Sequence, residues 1–490
     1  MDTSAHPAPG TDSGDASRPD GTAGPTPPAR RRRTVLLLLG LTAVTSATAL
    51  VIGLLSWAPD PPEPARPLTV GEGERLAAMR VTNLRDLRAG IRVTAGTGAA
   101  RTELVGWVDW SRPLLYLDVG GPGAGAGRGL LQSVGPALVI RPDPAAVPTP
   151  AAPPLVPPVD RWRLHHLTPG TGLAPVLDLL LGLAADRPDP APAVGRWIAR
   201  ETIAAGPVDV LAAPLPAATP SPAATPTGTA APGDGQPRYW LDQDARLHKL
   251  VTRLPGVGPV TVTLNRADRP TLRPVDALGG RPGLPRALTD AERHRLDRLP
   301  ARLRAQGGGA TLTLTAPVGT DTNLRGTGWL SWTTRTAYLA VADLGVPDRR
   351  TLLWRDATGL ARTDVPAAAG GGGTAETPGR PPMPPPAGAW RFARSGTDEL
   401  AVLAGAVISA GTAAQRGAAL RVREDVTDRR TVDVIELRAT DGQVRYWIDR
   451  DGSLRRLELH TGAGTWAQVD LSPGVMPRLG PAPHPPATAR

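Results

Sequence analysis

Side chains able to do covalent or acid–base chemistry are few in this chain, and their spacing does not suit it. Cysteine is absent, which removes thiolate nucleophiles, thiolate metal sites, disulfides and any lipidated cysteine. Of seven histidines, only His165 and His166 are clustered. Neighbours on a strand point to opposite faces, so this pair makes a poor chelate, and no carboxylate motif accompanies it. Gly-x-Ser-x-Gly, His-Glu-x-x-His and Walker patterns do not occur. The glycine runs at 120–129 and 370–373 lack a following Lys-Ser or Lys-Thr and a helix start, so they read as loops. The expectation is a protein that is not an enzyme and uses no metal or cofactor.

The aromatic residues carry more information. The chain has one phenylalanine, four tyrosines and twelve tryptophans. Trp107, Trp110, Trp240, Trp329, Trp332 and Trp447 recur in pairs on short alternating segments. Packing in a core is their first reading, because phenylalanine is scarce and aromatics bury large apolar areas. The functional reading is a ligand cavity lined by Trp107, Tyr116, Tyr239, Trp329, Tyr338 and Tyr446. Asp242 and Asp449 follow these aromatics and precede a turn, where a carboxylate stabilises the backbone.

These residues recur because the chain repeats itself. Gly106-Trp107-Val108-Asp109-Trp110 matches Gly328-Trp329-Leu330-Ser331-Trp332 at a shift of 222, which also takes Tyr116 to Tyr338. Arg238-Tyr239-Trp240-Leu241-Asp242 matches Arg445-Tyr446-Trp447-Ile448-Asp449 at a shift of 207. Trp162-Arg163 pairs with Trp390-Arg391, and Val208-Asp209-Val210 with Val432-Asp433-Val434. A period above 200 residues is too long for a solenoid unit, so it means two copies of one domain, at 68–274 and 285–480. The longer 213–236 loop of the first copy accounts for most of the difference in shift.

Each copy has one order of elements. An Arg-rich amphipathic helix opens it, with Leu296, Leu299 and Leu303 at helical spacing in the second copy and Pro300 expected to kink or shorten it. Its arginines, among them Arg75, Arg80, Arg295 and Arg302, read as a solvated face. Strands follow at 311–315, 324–332, 337–342 and 352–355. A second helix has Thr397 as its expected cap and Leu400, Leu403 and Val407 as its apolar stripe. In the first copy Leu173, Val176, Leu177, Leu180 and Leu181 form that stripe. Strands at 431–437, 444–449, 454–459 and 465–471 close the copy, with Asp451-Gly452 as a hairpin turn. The first copy has Asp244-Ala245 there. Strands, a central helix and more strands make an α+β fold: two tandem antiparallel half-barrel sheets, each wrapped around a helix.

The string Arg445-Tyr-Trp-Ile-Asp-Arg-Asp-Gly-Ser-Leu-Arg-Arg-Leu-Glu-Leu459, with its strand, Asp-Gly turn and strand, resembles the closing hairpin of the LolA/LppX-like lipoprotein-carrier superfamily. The preceding helix, the early Gly-Trp strands and the Arg-rich opening segment match that family's order. The resemblance covers both copies, and it implies half-barrels whose concave apolar face holds acyl chains or another lipid. Exported lipoprotein members carry a lipidated cysteine; this chain has none.

A membrane helix stands in its place. Thr34 to Trp57 is a run of 24 residues without a charge. As a helix it spans about 36 Å, enough for a bilayer core of about 30 Å. Arg30, Arg31, Arg32 and Arg33 precede it, and Trp57, Asp60 and Glu63 follow it, so the N-terminus is expected in the cytoplasm and the bulk outside. A cleaved signal is the rival reading, with Ala47-Thr48-Ala49 as the small-residue site and Arg32-Arg33 as a faint twin-arginine motif. The full run is longer than an ordinary signal core, which favours an uncleaved signal anchor of the kind seen in actinobacterial-type membrane proteins. Residues 1–33 then form a disordered cytoplasmic tail, 58–67 a linker and 481–490 a disordered end.

Net charge is +10, almost all from arginine, with Lys249 the only lysine. Acidic residues are interspersed and no nucleic-acid module is recognisable, so nucleic acid is not an expected partner. The sequence therefore points to a membrane-tethered, extracytoplasmic binding protein of the cell envelope. Its expected partners are the cytoplasmic membrane and a lipid or other amphiphile. The alternative is a structural or sensory envelope protein with filled sheets and a protein partner.

Overall fold

A computed structural model of the chain describes residues 63–216, 235–357, 359–367, 373–387, 390–393, 398–411, 417–439, 442–474 and 476–480. The expected membrane helix 34–57, with Arg30 to Arg33 and Trp57, lies outside the described residues, as do both expected disordered tails. Among the described residues no helix is long and apolar enough to cross a membrane.

Two antiparallel sheets of twelve strands make up the described body. The first contains β1 (Arg66–Pro67), β2 (Arg88–Ala95), β3 (Thr102–Asp109), β4 (Leu114–Gly120), β5 (Gly129–Val134), β6 (Ala137–Pro142), β7 (Arg163–Leu164), β8 (Arg196–Ile203), β9 (Gly206–Ala212), β10 (Arg238–Leu241), β11 (Leu247–Leu254) and β12 (Gly258–Asn265). The second contains β13 (Arg286–Ala287), β14 (Gly309–Val318), β15 (Thr322–Ser331), β16 (Thr336–Asp343), β17 (Arg349–Arg355), β18 (Leu360–Pro366), β19 (Arg391–Ala393), β20 (Ala418–Thr427), β21 (Arg430–Ala439), β22 (Gly442–Asp449), β23 (Leu454–His460) and β24 (Trp466–Pro473). Their strand orders are identical: β1-β8-β9-β10-β11-β12-β2-β3-β4-β5-β6-β7, and the same series advanced by twelve. The duplication seen in the sequence is thus a duplication of topology. Helices α1 (Val70–Asp86) and α2 (Ala174–Gly182) belong to the first sheet, α3 (Asp290–Ala305) and α4 (Glu399–Ala410) to the second.

Period-two patterning decides which face meets the helices. In β14, Leu312, Leu314 and Ala316 are buried in one cluster with Leu299, Leu403 and Val407, while Thr311, Thr313 and Thr315 alternate to the other side. Helix α4 touches β23, β14, β16 and β17, which span six positions of the sheet order. At about 4.8 Å per strand that span is about 24 Å, twice a helix diameter, so the sheet must curl around the helix.

The repeated Gly-Trp-x-x-Trp motif supplies the fastening. Its two indoles are three residues apart and so leave the strand on opposite faces. Trp110 and Trp332 turn inward, and their Nε1 atoms donate to Leu180 O and Val407 O of α2 and α4, both at 3.0 Å. Each central helix is pinned to its sheet by one indole. Trp107 and Trp329 turn outward and pair across strands with Tyr116 and Tyr338. A side chain at Gly106 or Gly328 would meet the carbonyl of Tyr116 or Tyr338 at 2.1 Å, so only glycine lets the neighbouring strand approach.

The opening helices are fixed at their N-termini. Thr69 with Glu72, and Thr289 with Glu292, form reciprocal capping boxes, and Arg66 and Arg286 clamp the two glutamates. Arg75 and Arg295 reach Asp209 and Asp433 on the sheets, so these two arginines are not merely solvated. Helix α3 continues through Pro300 to Ala305, so the proline does not end it. An interior proline costs about 3 kcal/mol. Burial of Leu296, Leu299 and Leu303 returns about 1.5–3 kcal/mol each, which outweighs it. The cap of α4 also differs: Asp398 accepts from Ala401 N, whereas Thr397 lies outside the described residues.

The two sheets share one compact unit that begins at Pro64. Strand β7 is a two-residue edge, and the second sheet completes it. Leu164 N donates to Asn323 Oδ1 at 2.6 Å, and Asn323 Nδ2 donates to Leu164 O at 2.9 Å, so one carboxamide imitates a strand partner. Arg325 donates to Trp162 O at 2.9 Å beside it, and Arg163 pairs with Glu376.

Candidate functional sites

Three spaces in the described structure are large enough to hold a ligand. The first lies on the helix-bearing side of the first sheet, beside α2, and has a volume of about 430 Å³. Leu138, Leu164, Leu167, Ala174, Leu177 and Leu181 form its walls, and Gly319, Thr320, Gly462 and Ala463 of the second repeat lie along one side. Its polar groups are Ser133, His165, His166 and Asp178. Burial, with His166 adding to it, holds the His165 imidazole below its ordinary range. The His165 ring is therefore neutral at neutral pH. Among the described residues no group of three His, Asp or Glu side chains is placed to hold a metal ion.

The second space, about 300 Å³, lies at the end of α4 on the helix-bearing side of the second sheet. Leu324, Val341, Val346 and Leu400 give it apolar surface, but Asp343, Arg349, Arg362 and Asp364 crowd its rim. Two ion pairs bridge that rim, Arg349 to Asp364 at 3.3 Å and Arg362 to Asp398 at 2.6 Å. Helix length accounts for part of the contrast between the repeats. Helix α4 has 12 residues and α2 has 9, so α4 covers more of its sheet.

The third space is a cleft of about 810 Å³ between the repeats. Its floor is the outward face of the second sheet, where strand register sets polar side chains in two transverse rows. Thr327, Thr313, Asp470 and Arg456 make one row; Arg325, Thr315, Gln468 and Glu458 make the other. Val159 to Trp162 and Arg273 to Ala277 wall it from the first repeat and the connector. Arg456 donates to Asp470 at 2.6 Å and to Asp276 at 2.7 Å. Arg423 and Arg445 donate to the connector carbonyl of Gly279 at 2.9 and 3.2 Å. Glu458, 1% exposed, lies 3.8 Å from Arg456 and 3.9 Å from Arg445, and neither carboxylate oxygen has a hydrogen-bond partner among the described residues. Burial pushes its carboxyl up to about 7, against the pull of these arginines.

The six aromatics expected to line a ligand cavity do not meet in one place. Trp107 and Tyr116 pack outward under Trp162, Leu272, Val275 and Leu278. Trp329 and Tyr338 pack outward with Trp354, Trp390 and Leu479. Tyr239 and Tyr446 lie in the helix-facing cores. None of the six lines the three spaces above, and all serve packing. The residues that do line them were mostly invisible to sequence reading. Leu138 and Leu177 carry ordinary core patterns, and the polar rows of the cleft exist only once four strands are in register. The His165-His166 pair was visible, and it sits at a pocket, though as part of an apolar chamber.

No family model and no curated protein matches the chain. Among solved structures, it is similar to lipoprotein LppX of Mycobacterium tuberculosis, with 10% identity and a TM-score of 0.23 over 38% of this chain and 95% of that one. It is similar to LprF from Mycobacterium bovis, with 8% identity and a TM-score of 0.22 over 39% of this chain and 99% of that one. It is also similar to a LolA superfamily protein from Nitrosomonas europaea, with 11% identity and a TM-score of 0.15 over 34% and 83%.

Proposed function

We propose that the chain is a non-catalytic binding protein that holds the apolar part of a lipid or other amphiphile beside α2. In this reading the uncharged run 34–57 tethers it to the cytoplasmic membrane with the body outside. The chamber of about 430 Å³ carries the argument. Its volume falls within the roughly 300–1,000 Å³ of small-ligand sites, and its walls are leucines. The neutral His165 ring, the neighbouring His166 and the exposed Asp178 leave one polar side for a headgroup. Each buried methylene contributes about 0.8 kcal/mol, so a chain of six carbons in the chamber supplies about 5 kcal/mol before the costs of association.

The second repeat, with its narrower space and bridged rim, acts as a support in this account. A protein partner is the second reading. It is favoured by Leu155, Val156 and Val159, which are exposed on the proline-rich segment before β7.

Binding of dansyl-undecanoate to the full chain tests the reading. The wild type should bind one probe saturably. Leu181→Trp, which adds bulk to a half-buried wall, should weaken it about tenfold or more, equivalent to about 1.4 kcal/mol. Absence of saturable binding by the wild type would defeat the proposal.

A further inference from the structure

We infer that the cleft between the repeats is a second binding site, and that its ligand is an uncharged, hydroxyl-rich molecule of the carbohydrate class. The inference rests on the cleft alone and does not depend on the amphiphile chamber. An acyl chain does not fit this chemistry. The floor carries threonine hydroxyls, a carboxamide and guanidinium groups, and covering such groups with hydrocarbon leaves them without partners.

A strongly charged ligand does not fit either. Arg456 is already neutralised by Asp470 and Asp276, and Arg325 is engaged by Trp162 O with Glu376 at 3.8 Å. Among the described residues the unpaired charges on the cleft are one cation, Arg273, and one anion, Asp428. They cancel.

What remains open is neutral. Gln468 is 6% exposed, lines the cleft and makes no side-chain hydrogen bond among the described residues; its carboxamide is not sealed from the cleft. A carboxamide held in the floor and left open on the cleft side offers a donor and an acceptor to a ligand that occupies the cleft. Thr315 is its cross-strand neighbour, Thr313 lies one row away, and neither hydroxyl has a protein partner among the described residues. Carboxamide and hydroxyls both donate and accept, and a ligand hydroxyl does the same. A polyol can thus satisfy every one of these groups without bringing a charge.

The test uses the full chain and saturation-transfer NMR with maltotriose, mannotriose and chitotriose as probes. At least one should bind the wild type. Gln468→Leu, which keeps the side-chain volume, and Thr315→Trp, which fills the floor, should each weaken that binding tenfold or more. Thr94→Trp, on the corresponding outward face of the first repeat, should leave it unchanged. Thermal melting checks that Thr315→Trp is folded, and Gln468→Leu stands as the independent variant. Equal affinity for a free trisaccharide and its octyl glycoside assigns the site to a soluble or polymeric glycan; tenfold tighter glycoside binding assigns it to a glycolipid headgroup. Failure of all three sugars to bind the wild type, or binding that survives both floor variants, overturns the inference.

Discussion

The two repeats share a strand order to the last edge strand, yet they have dressed their two faces differently. On the helix-bearing side, the first repeat has a short α2 and keeps a leucine-walled chamber, whereas the longer α4 and its ion pairs narrow the second. On the outward side the contrast reverses. The first repeat places Lys249 over the Trp240 ring at 4.3 Å, with Val251 two residues on. The second places Arg456 over Trp447 at 4.6 Å, with Glu458 in the corresponding position, buried among arginines at the cleft. A shared backbone fixes the helix pins and the strand register, while the faces between them are free to diverge into sites.

The contrast can be broken most forcefully at what the repeats share. Removing either indole pin, Trp110→Ala or Trp332→Ala, should cost about 3–5 kcal/mol in chemical denaturation, since each loses a buried aromatic and a helix contact. The two losses should be similar. A variant that leaves stability unchanged would show that its repeat does not use the pin.

The next effect belongs to the second repeat alone. Folding raises the Glu458 carboxyl from 4.5 to about 7, so the folded state holds its proton over that interval and the unfolded chain does not. Stability should therefore fall as pH rises from about 4.5 to 7 and level off above, by on the order of 3 kcal/mol for a fully buried group. Glu458→Gln should remove this part of the pH dependence in urea midpoints measured at pH 5 and pH 8. An unchanged difference between the two pH values would contradict it.

The hairpin turns separate the repeats by a smaller amount. Gly452 adopts φ 77°, and its counterpart Ala245 adopts φ 61° with a side chain that disfavours it. Ala245→Gly should stabilise by about 1 kcal/mol and Gly452→Ala should destabilise by a similar amount. Equal and small effects of the two exchanges would show the turns to be equivalent.

Smallest is the outward tyrosine pair. Tyr338 donates to Pro382 O at 3.1 Å, whereas the hydroxyl of buried Tyr116 has no partner among the described residues. Tyr338→Phe should cost about 0.5–1.5 kcal/mol and Tyr116→Phe should cost nothing or stabilise. Reversal of that order in thermal melts would refute the assignment.

Much of this comparison was legible in the sequence, because repetition amplified weak local signals. Gly-Trp-x-x-Trp and Arg-Tyr-Trp located corresponding strands, and the Leu400, Leu403 and Val407 stripe located α4. The capping boxes Thr69-x-x-Glu72 and Thr289-x-x-Glu292 carry the ordinary signature of a helix start but were not among the sequence expectations. The two-residue edges β1 and β7 were not legible, since they have no pattern of their own and exist only by pairing. Outward and inward aromatics also could not be told apart without knowing which face the helices take. Glu458 reads locally as an outward residue of an alternating strand; only the connector and three neighbouring arginines make it buried. The sites are non-local in the same sense: leucines from α2 and β6 in one case, and four registered strands in the other.

The central claim is that the first repeat holds an amphiphile beside α2. It is tested most directly by native mass spectrometry of the purified full chain, with a diazirine-bearing fatty acid supplied and cross-linked. The account expects one lipid-sized adduct per wild-type chain, cross-links on the segments 164–181 and 135–138 that border the chamber, and loss of both in Leu181→Trp. A lipid-free wild type, or an adduct that persists in Leu181→Trp with cross-links elsewhere, would contradict it.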